Sequence, residues 1–161
     1  MILSQNDYLN LFNIFDNLNN IIDNEFLTTY RIKQVEFEEL LDKSDFVSLH
    51  LPLTPETTHI MGSKQFDMMK NSAYLINTAR GQLINESDLY QALVNHKIAG
   101  AALDVFSKEP PYGNKLIKLD NIIATPHIGA QIVEAQKEAS IVIAQKIIKF
   151  FDDNKLDGLR N

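Results

Sequence analysis

Ala73-Tyr74-Leu75-Ile76-Asn77-Thr78-Ala79-Arg80-Gly81 is an apolar run of strand length that breaks into a polar turn carrying an arginine. Three other stretches follow the same grammar. Phe46-Val47-Ser48-Leu49 runs into His50-Leu51-Pro52, Ala101-Ala102-Leu103 into Asp104, and Ile122-Ile123-Ala124 into Thr125-Pro126-His127. Short apolar runs bounded by turn signals suit strands buried on both faces of a sheet. Helical patterns lie between them. Phe37, Leu40 and Leu41 share a helical face within residues 36–43, and residues 63–69 form a short helix candidate. Asn85-Glu86-Ser87-Asp88 has the character of a helix cap before Leu89, Ala92 and Leu93, with Asp88 in the capping-box position. A last helix is expected from near Ala130, repeating Ile132, Ala135, Ala139, Val142, Ile143, Ile147 and Phe151 at helical spacing. Strand alternating with helix predicts an α/β fold with a Rossmann-like parallel sheet and flanking helices. In such a sheet the polar residues just beyond each strand line the ligand crevice. Here those positions hold His50, Pro52, Asn77, Arg80, Asp104 and His127.

The first 30 residues are rich in asparagine and differ in character from the rest. Tyr8, Leu11, Phe12, Phe15, Leu18 and Ile22 fit a helix, and a short strand over residues 13–16 is the alternative. The expected organisation is an atypical, mainly helical N-terminal segment over 1–31, an α/β domain over 32–150, and a segment leading away from it over 151–161.

Composition narrows the chemistry. With 45% apolar residues, 161 residues suffice for one domain with a real core. A net charge of −6 argues against nucleic acid or an anionic membrane as partner. There is no cysteine, which removes disulfides and thiolate chemistry. No metal site is expected. No apolar run approaches the roughly 20 residues of a membrane span. The N-terminus lacks the basic and apolar regions of a signal peptide, so a cytoplasmic address is the expectation.

Three longer segments carry a resemblance: residues 40–57, residues 69–81, and residues 101–110 followed by 125–130. Together they resemble the D-isomer-specific 2-hydroxyacid dehydrogenases over about four-fifths of the chain, nearest to the phosphoglycerate dehydrogenase branch. The resemblance implies an oxidoreductase acting on the CH–OH group of a small D-2-hydroxy acid, with NAD as acceptor. Arg80 would bind the substrate carboxylate as a fork and polarise the reacting carbon. His127 would be the general acid and base on the hydroxyl. Glu109 would hydrogen-bond the imidazole, orient it and favour its charged form. Asp104 would receive the nicotinamide carboxamide. Asn77, Thr78, Ala79 and Arg80, with His127, Gly129 and Ala130, would line the cofactor. His50, Pro52 and Thr57 would lie along its adenosine side. Taken singly, an Arg before Gly, a Glu before Pro and a His after Pro are ordinary loop residues. They gain meaning jointly, each within its own matching motif. His59 and His96 carry no such context, and His96 near a helix end is favoured there as a cation.

Departures from the family pattern are equally informative. The glycines are Gly62, Gly81, Gly100, Gly113, Gly129 and Gly158, and none form G-x-G-x-x-G. That loop supplies backbone N–H groups to the cofactor diphosphate. Two or three lost charge-assisted hydrogen bonds imply a penalty of roughly 3–9 kcal/mol, on the order of 10² to 10⁶ in affinity. Without the glycine-loop strand, residues 46–49 would present an apolar unpaired edge that invites association. The expected partners are therefore a small 2-hydroxy or 2-oxo acid and either a second copy or a polypeptide supplying the missing half. Asp16 is the candidate for the ribose-binding acid if residues 13–16 are a strand. Two alternatives stand beside a weak or inactive dehydrogenase: a non-catalytic NAD(H)-binding or protein-interaction fragment, and a truncated gene remnant.

Overall fold

The four apolar runs become four strands, and their side chains dictate how. Phe46–Leu49, Tyr74–Asn77, Gly100–Leu103 and Ile122–Ala124 (β4 to β7) each alternate residues between two faces, as a pleated strand must. In the computed structural model they form one parallel sheet in the order β4-β5-β6-β7. The structure describes residues 2–3, 9–12, 28–29, 32–129, 137, 140–145 and 148. The chain forms two units, Met1–Pro126 and His127–Asn161. All named elements belong to the first. In the second, residues 140–145 are helical, as expected; the expected start near Ala130 lies outside the described residues.

Three helices supply the core on one face of the sheet. They are α1 (Phe37–Lys43), α2 (Ser63–Met68) and α3 (Glu86–Val94). Leu40 and Leu41 of α1, Phe66 of α2, and Leu89, Ala92 and Leu93 of α3 pack with Val47, Leu49, Leu75, Ala101 and Leu103. Burial on both faces, expected from the runs, does not hold. Val47 and Leu75 are buried, whereas Phe46 is 42% and Tyr74 45% exposed. Helices α1 to α3 cover one face, so Val47, Leu49, Leu75 and Asn77 are buried while the alternate positions of β4 and β5 are half-buried or exposed. Phe46 and Tyr74 stack on each other with ring centroids 5.6 Å apart.

The connection between α2 and α3 is tied to the chain before α2. Met61 and Ile84 form a parallel bridge. Around it His59 N donates to Gln82 O at 2.8 Å, Met61 N to Leu83 O at 3.1 Å, and Asn85 N to Met61 O at 2.9 Å. This explains why the capping box does not form. The Asn85 N–H is already used, so the Asp88 carboxylate accepts instead from Ser63 N at 3.0 Å and caps α2. Asn85 caps α3 as expected, its Oδ1 accepting from Ser87 N and Asp88 N. Asn85→Ala is expected to lower stability by about 1 kcal/mol, the usual cost of a lost N-cap. Urea denaturation checks this, and an unchanged midpoint would show that the cap is dispensable. The other end of α3 accounts for His96. It takes the left-handed conformation at φ 53°. Its N–H donates to Leu93 O while Lys97 N donates to Ala92 O, closing the helix in a Schellman pattern.

One part of the N-terminal stretch departs from the expected helix. Leu9–Phe12 is a strand (β2), paired antiparallel with Ile2–Leu3 (β1) and parallel with Ile32–Val35 (β3). A four-residue apolar-rich run next to a strand partner gains ladder hydrogen bonds that outweigh weak helical periodicity. These strands form a separate sheet, with β1 beside β4 but without a ladder between them. β4 is thus an edge of its own hydrogen-bonded sheet. Residues 13–16, and Asp16 with them, lie outside the described residues.

Candidate active site

Parallel register places the site. Leu49 pairs with Asn77, Asn77 with Leu103, and Leu103 with Ala124, so the four strand ends lie level. The segments that leave them share one edge of the sheet, where ligands bind in open α/β folds.

After β4, His50 is exposed and its Nε2 hydrogen-bonds Ser48 Oγ at 2.9 Å. Burial of the ring holds its pKa below the ordinary value, so at neutral pH it presents a hydrogen bond and no charge. Pro52 is exposed, but Thr57 is fully buried. The Thr57 hydroxyl donates to Pro52 O at 2.7 Å and accepts from Thr54 N at 2.8 Å. Thr57, expected along the adenosine side, is held by these bonds within its own loop, as a buried hydroxyl needs a partner.

Asn77, the last residue of β5, is likewise fully buried. Its Nδ2 donates to Arg80 O at 2.9 Å, and its Oδ1 accepts from Ala79 N at 3.0 Å. Both ends of the amide are engaged in shaping the turn. Thr78 and Arg80 are exposed, Ala79 half-buried. One guanidinium N–H donates to Ala79 O at 2.7 Å, which steadies the fork against its own turn. Beyond β6, Asp104 is 6% exposed, its N–H donating to Asn77 O at 3.0 Å. Its Oδ1 accepts from Thr125 Oγ1 at 2.5 Å, and Thr125 N donates to Leu103 O. Asn77, Asp104 and Thr125 therefore link the ends of β5, β6 and β7. Thr125 is not among the expected site residues, although it follows its strand as Asp104 does.

Glu109 lies on the loop after Asp104, and its Oε1 accepts from Phe106 N at 3.1 Å. The Glu109–Pro110 peptide is cis. The structure brings this loop against the Arg80 turn: a Cβ on Gly81 would lie 2.0 Å from the Phe106 carbonyl carbon. His127, Gly129 and Ala130 belong to the second unit, and Ala130 lies outside the described residues. His127 follows β7 directly in the chain and is exposed, with φ 55°. His59 and His96 share that left-handed backbone, so positive φ does not by itself single out a functional histidine. Among the described residues, no group of three or more His, Asp or Glu is placed to hold a metal. Nor is any helix among them long and apolar enough to cross a membrane.

Known proteins share both sequence and fold. The family model of the D-isomer specific 2-hydroxyacid dehydrogenase NAD binding domain matches residues 17–129. The chain belongs to this family. A D-3-phosphoglycerate dehydrogenase of Methanocaldococcus jannaschii is 52% identical over 114 residues, covering 71% of this chain and 22% of that protein. A glyoxylate reductase of Thermococcus litoralis is 47% identical over 116 residues, covering 72% of this chain and 35% of that protein. The crystal structure of a D-isomer specific 2-hydroxyacid dehydrogenase from Lactobacillus delbrueckii ssp. bulgaricus, in its NAD-complexed form, superposes with a TM-score of 0.79 at 28% identity. That match covers 94% of this chain and 48% of the other. The chain thus spans well under half the length of the curated relatives named here.

Proposed function

We propose that this chain carries the nicotinamide end and the proton-transfer residues of an NAD-dependent D-2-hydroxyacid oxidoreductase. The observation that carries the reading is the level edge formed by β4 to β7, where Arg80 stands on the loop after β5 and Asp104 and Glu109 on the loop after β6. Arg80 binds the substrate carboxylate and orients the carbon that exchanges hydride. His127 takes the hydroxyl proton in oxidation and returns it in reduction. Glu109 holds the imidazole in orientation. Bound NAD supplies the hydride acceptor. The preferred substrate class is the phosphoglycerate type, with glyoxylate-sized acids next. The remaining half of the site comes from a second polypeptide segment, covalently joined or not, and a homodimer is the family-like arrangement.

The residues present fit one end of the cofactor. Asp104 is a nearly buried carboxylate fixed by Thr125 at the central strand ends, an acceptor suited to a carboxamide NH₂. The diphosphate end finds no glycine loop, since no glycine precedes Gly62. Amide NMR titrations separate the two. Nicotinamide mononucleotide is expected to shift residues 78–80 and 104–106, and adenosine monophosphate is not. Unmoved signals there with both the mononucleotide and NADH at millimolar concentration would overturn the proposal. A chain that binds NADH through these residues without turning over 2-oxo acids would be a cofactor-binding module instead.

A further inference from the structure

We infer that Glu86, the first residue of α3, is a positioning residue that sets the loop carrying Glu109. Its carboxylate uses both oxygens on that loop. Oε1 accepts from Ser107 N at 2.6 Å, and Oε2 accepts from Asn114 Nδ2 at 2.8 Å. Ser107 and Asn114 bracket Glu109, so one side chain grips the loop on both sides of it. Asn114 is itself held, its Oδ1 accepting from the N–H of buried Leu116 at 3.0 Å. Between the two grips, Glu109 closes back on Phe106 N at 3.1 Å.

An acidic residue in the first turn of a helix is favoured by the dipole alone. That explanation is satisfied by a carboxylate pointing into water. It does not account for two hydrogen bonds to partners 21 and 28 residues away. Ionised acceptors make the stronger class of hydrogen bond, and a fork of two fixes direction as well as distance. The anchor beneath is firm, because Leu89 and Leu93 on the same helix are buried and Asn85 caps it. The Phe106–Ser107 peptide gripped by Glu86 is also the peptide against which Gly81 packs. Helix α3, the Arg80 turn and the Glu109 loop therefore meet at one peptide group. Glu86 reaches no substrate in this account; it acts through Glu109.

The inference rests on the reading of Glu109 as the residue that orients His127. Isotope-labelled chain tests both without requiring turnover. In Glu86→Ala, the Ser107 amide is expected to exchange with solvent roughly tenfold faster or more, the loss of one hydrogen bond to a charge. The Leu89 and Leu93 amides keep their protection. The His127 ring signals are expected to move in the direction that Glu109→Gln moves them. Glu86→Gln, which retains one acceptor for Ser107, is expected to recover most of both effects. Asn114→Ala removes one grip outside the helix and gives a weaker version of the same changes, which keeps the question open to measurement if Glu86→Ala fails to fold. Unchanged Ser107 exchange in Glu86→Ala or Asn114→Ala overturns the inference. So does a His127 signal that responds to Glu109→Gln and not to the loss of Glu86, and in that case the role of Glu109 survives. If Glu109→Gln leaves His127 unmoved, the role of Glu109 falls and the inference falls with it.

Discussion

Gly81→Ala is expected to be among the most damaging single-methyl substitutions in the first unit, lowering stability by about 3 kcal/mol or more. Adding a methyl group to a packed interior costs typically about 1–3 kcal/mol when side chains can give way. Here they cannot help. The added carbon would lie 2.0 Å from the Phe106 carbonyl carbon, 2.3 Å from its oxygen and 2.4 Å from Ser107 N. All three are backbone atoms, and relief requires the Arg80 turn and the Glu109 loop to part. The glycine is required for space and not for backbone freedom, since its φ is not in the left-handed region. Urea denaturation with amide detection measures the effect. The Ser107 amide should also lose protection from exchange, since its contact with Glu86 depends on the same approach. A variant with the parent midpoint would show that the two loops are not rigidly apposed.

The second large effect concerns turnover. On the proposed reading, Arg80→Ala lowers kcat/KM for NADH-dependent reduction of a 2-oxo acid by about 10² to 10⁴, the loss of two charge-assisted hydrogen bonds. His127→Ala lowers kcat by a comparable factor of about 10² to 10⁴, the usual contribution of a positioned general acid. The two variants should differ in kind. Arg80→Ala raises KM as well as lowering kcat, because the carboxylate is held in both ground and transition states. Arg80→Lys should recover little, since a point charge does not reproduce the planar fork. The assay uses the chain supplied with the rest of a family member in trans. Turnover equal to the parent in both alanine variants would remove these residues from the mechanism.

Much of the sheet was legible because its strands obey a simple local rule. The runs ending at Leu49, Leu103 and Ala124 appear in the structure with those ends. The rule worked because each of these apolar runs stops abruptly at a polar residue, His50, Asp104 or Thr125. It failed where the signal was weak. Leu9–Phe12 lies in a stretch whose apolar spacing fits a helix, and its strand partner at Ile32–Val35 is distant in sequence. Residue types at the strand ends marked a candidate site, while the hydrogen bonds they make depend on burial. Thr57 and Asn77 are polar residues in the expected places, yet both are fully buried and serve the backbone of their own loops. Glu86 was visible only as part of a helix cap. Its partners Ser107 and Asn114 lie across the fold, and no periodicity links them to it.

The strand order β4-β5-β6-β7 also bears on how the fold is reached. Every strand of this sheet pairs with the next one in the chain, and no later strand inserts between earlier ones. Each pairing therefore closes a short crossover before the next is attempted, which keeps the entropic barrier of each step small. As the chain leaves the ribosome, the sheet can grow by accretion from β4 outward. The loops bearing Arg80 and Glu109 then come into contact as soon as β6 has docked on β5. Strand β7 is the last of the four to emerge, and it docks on an edge whose other members are already in place.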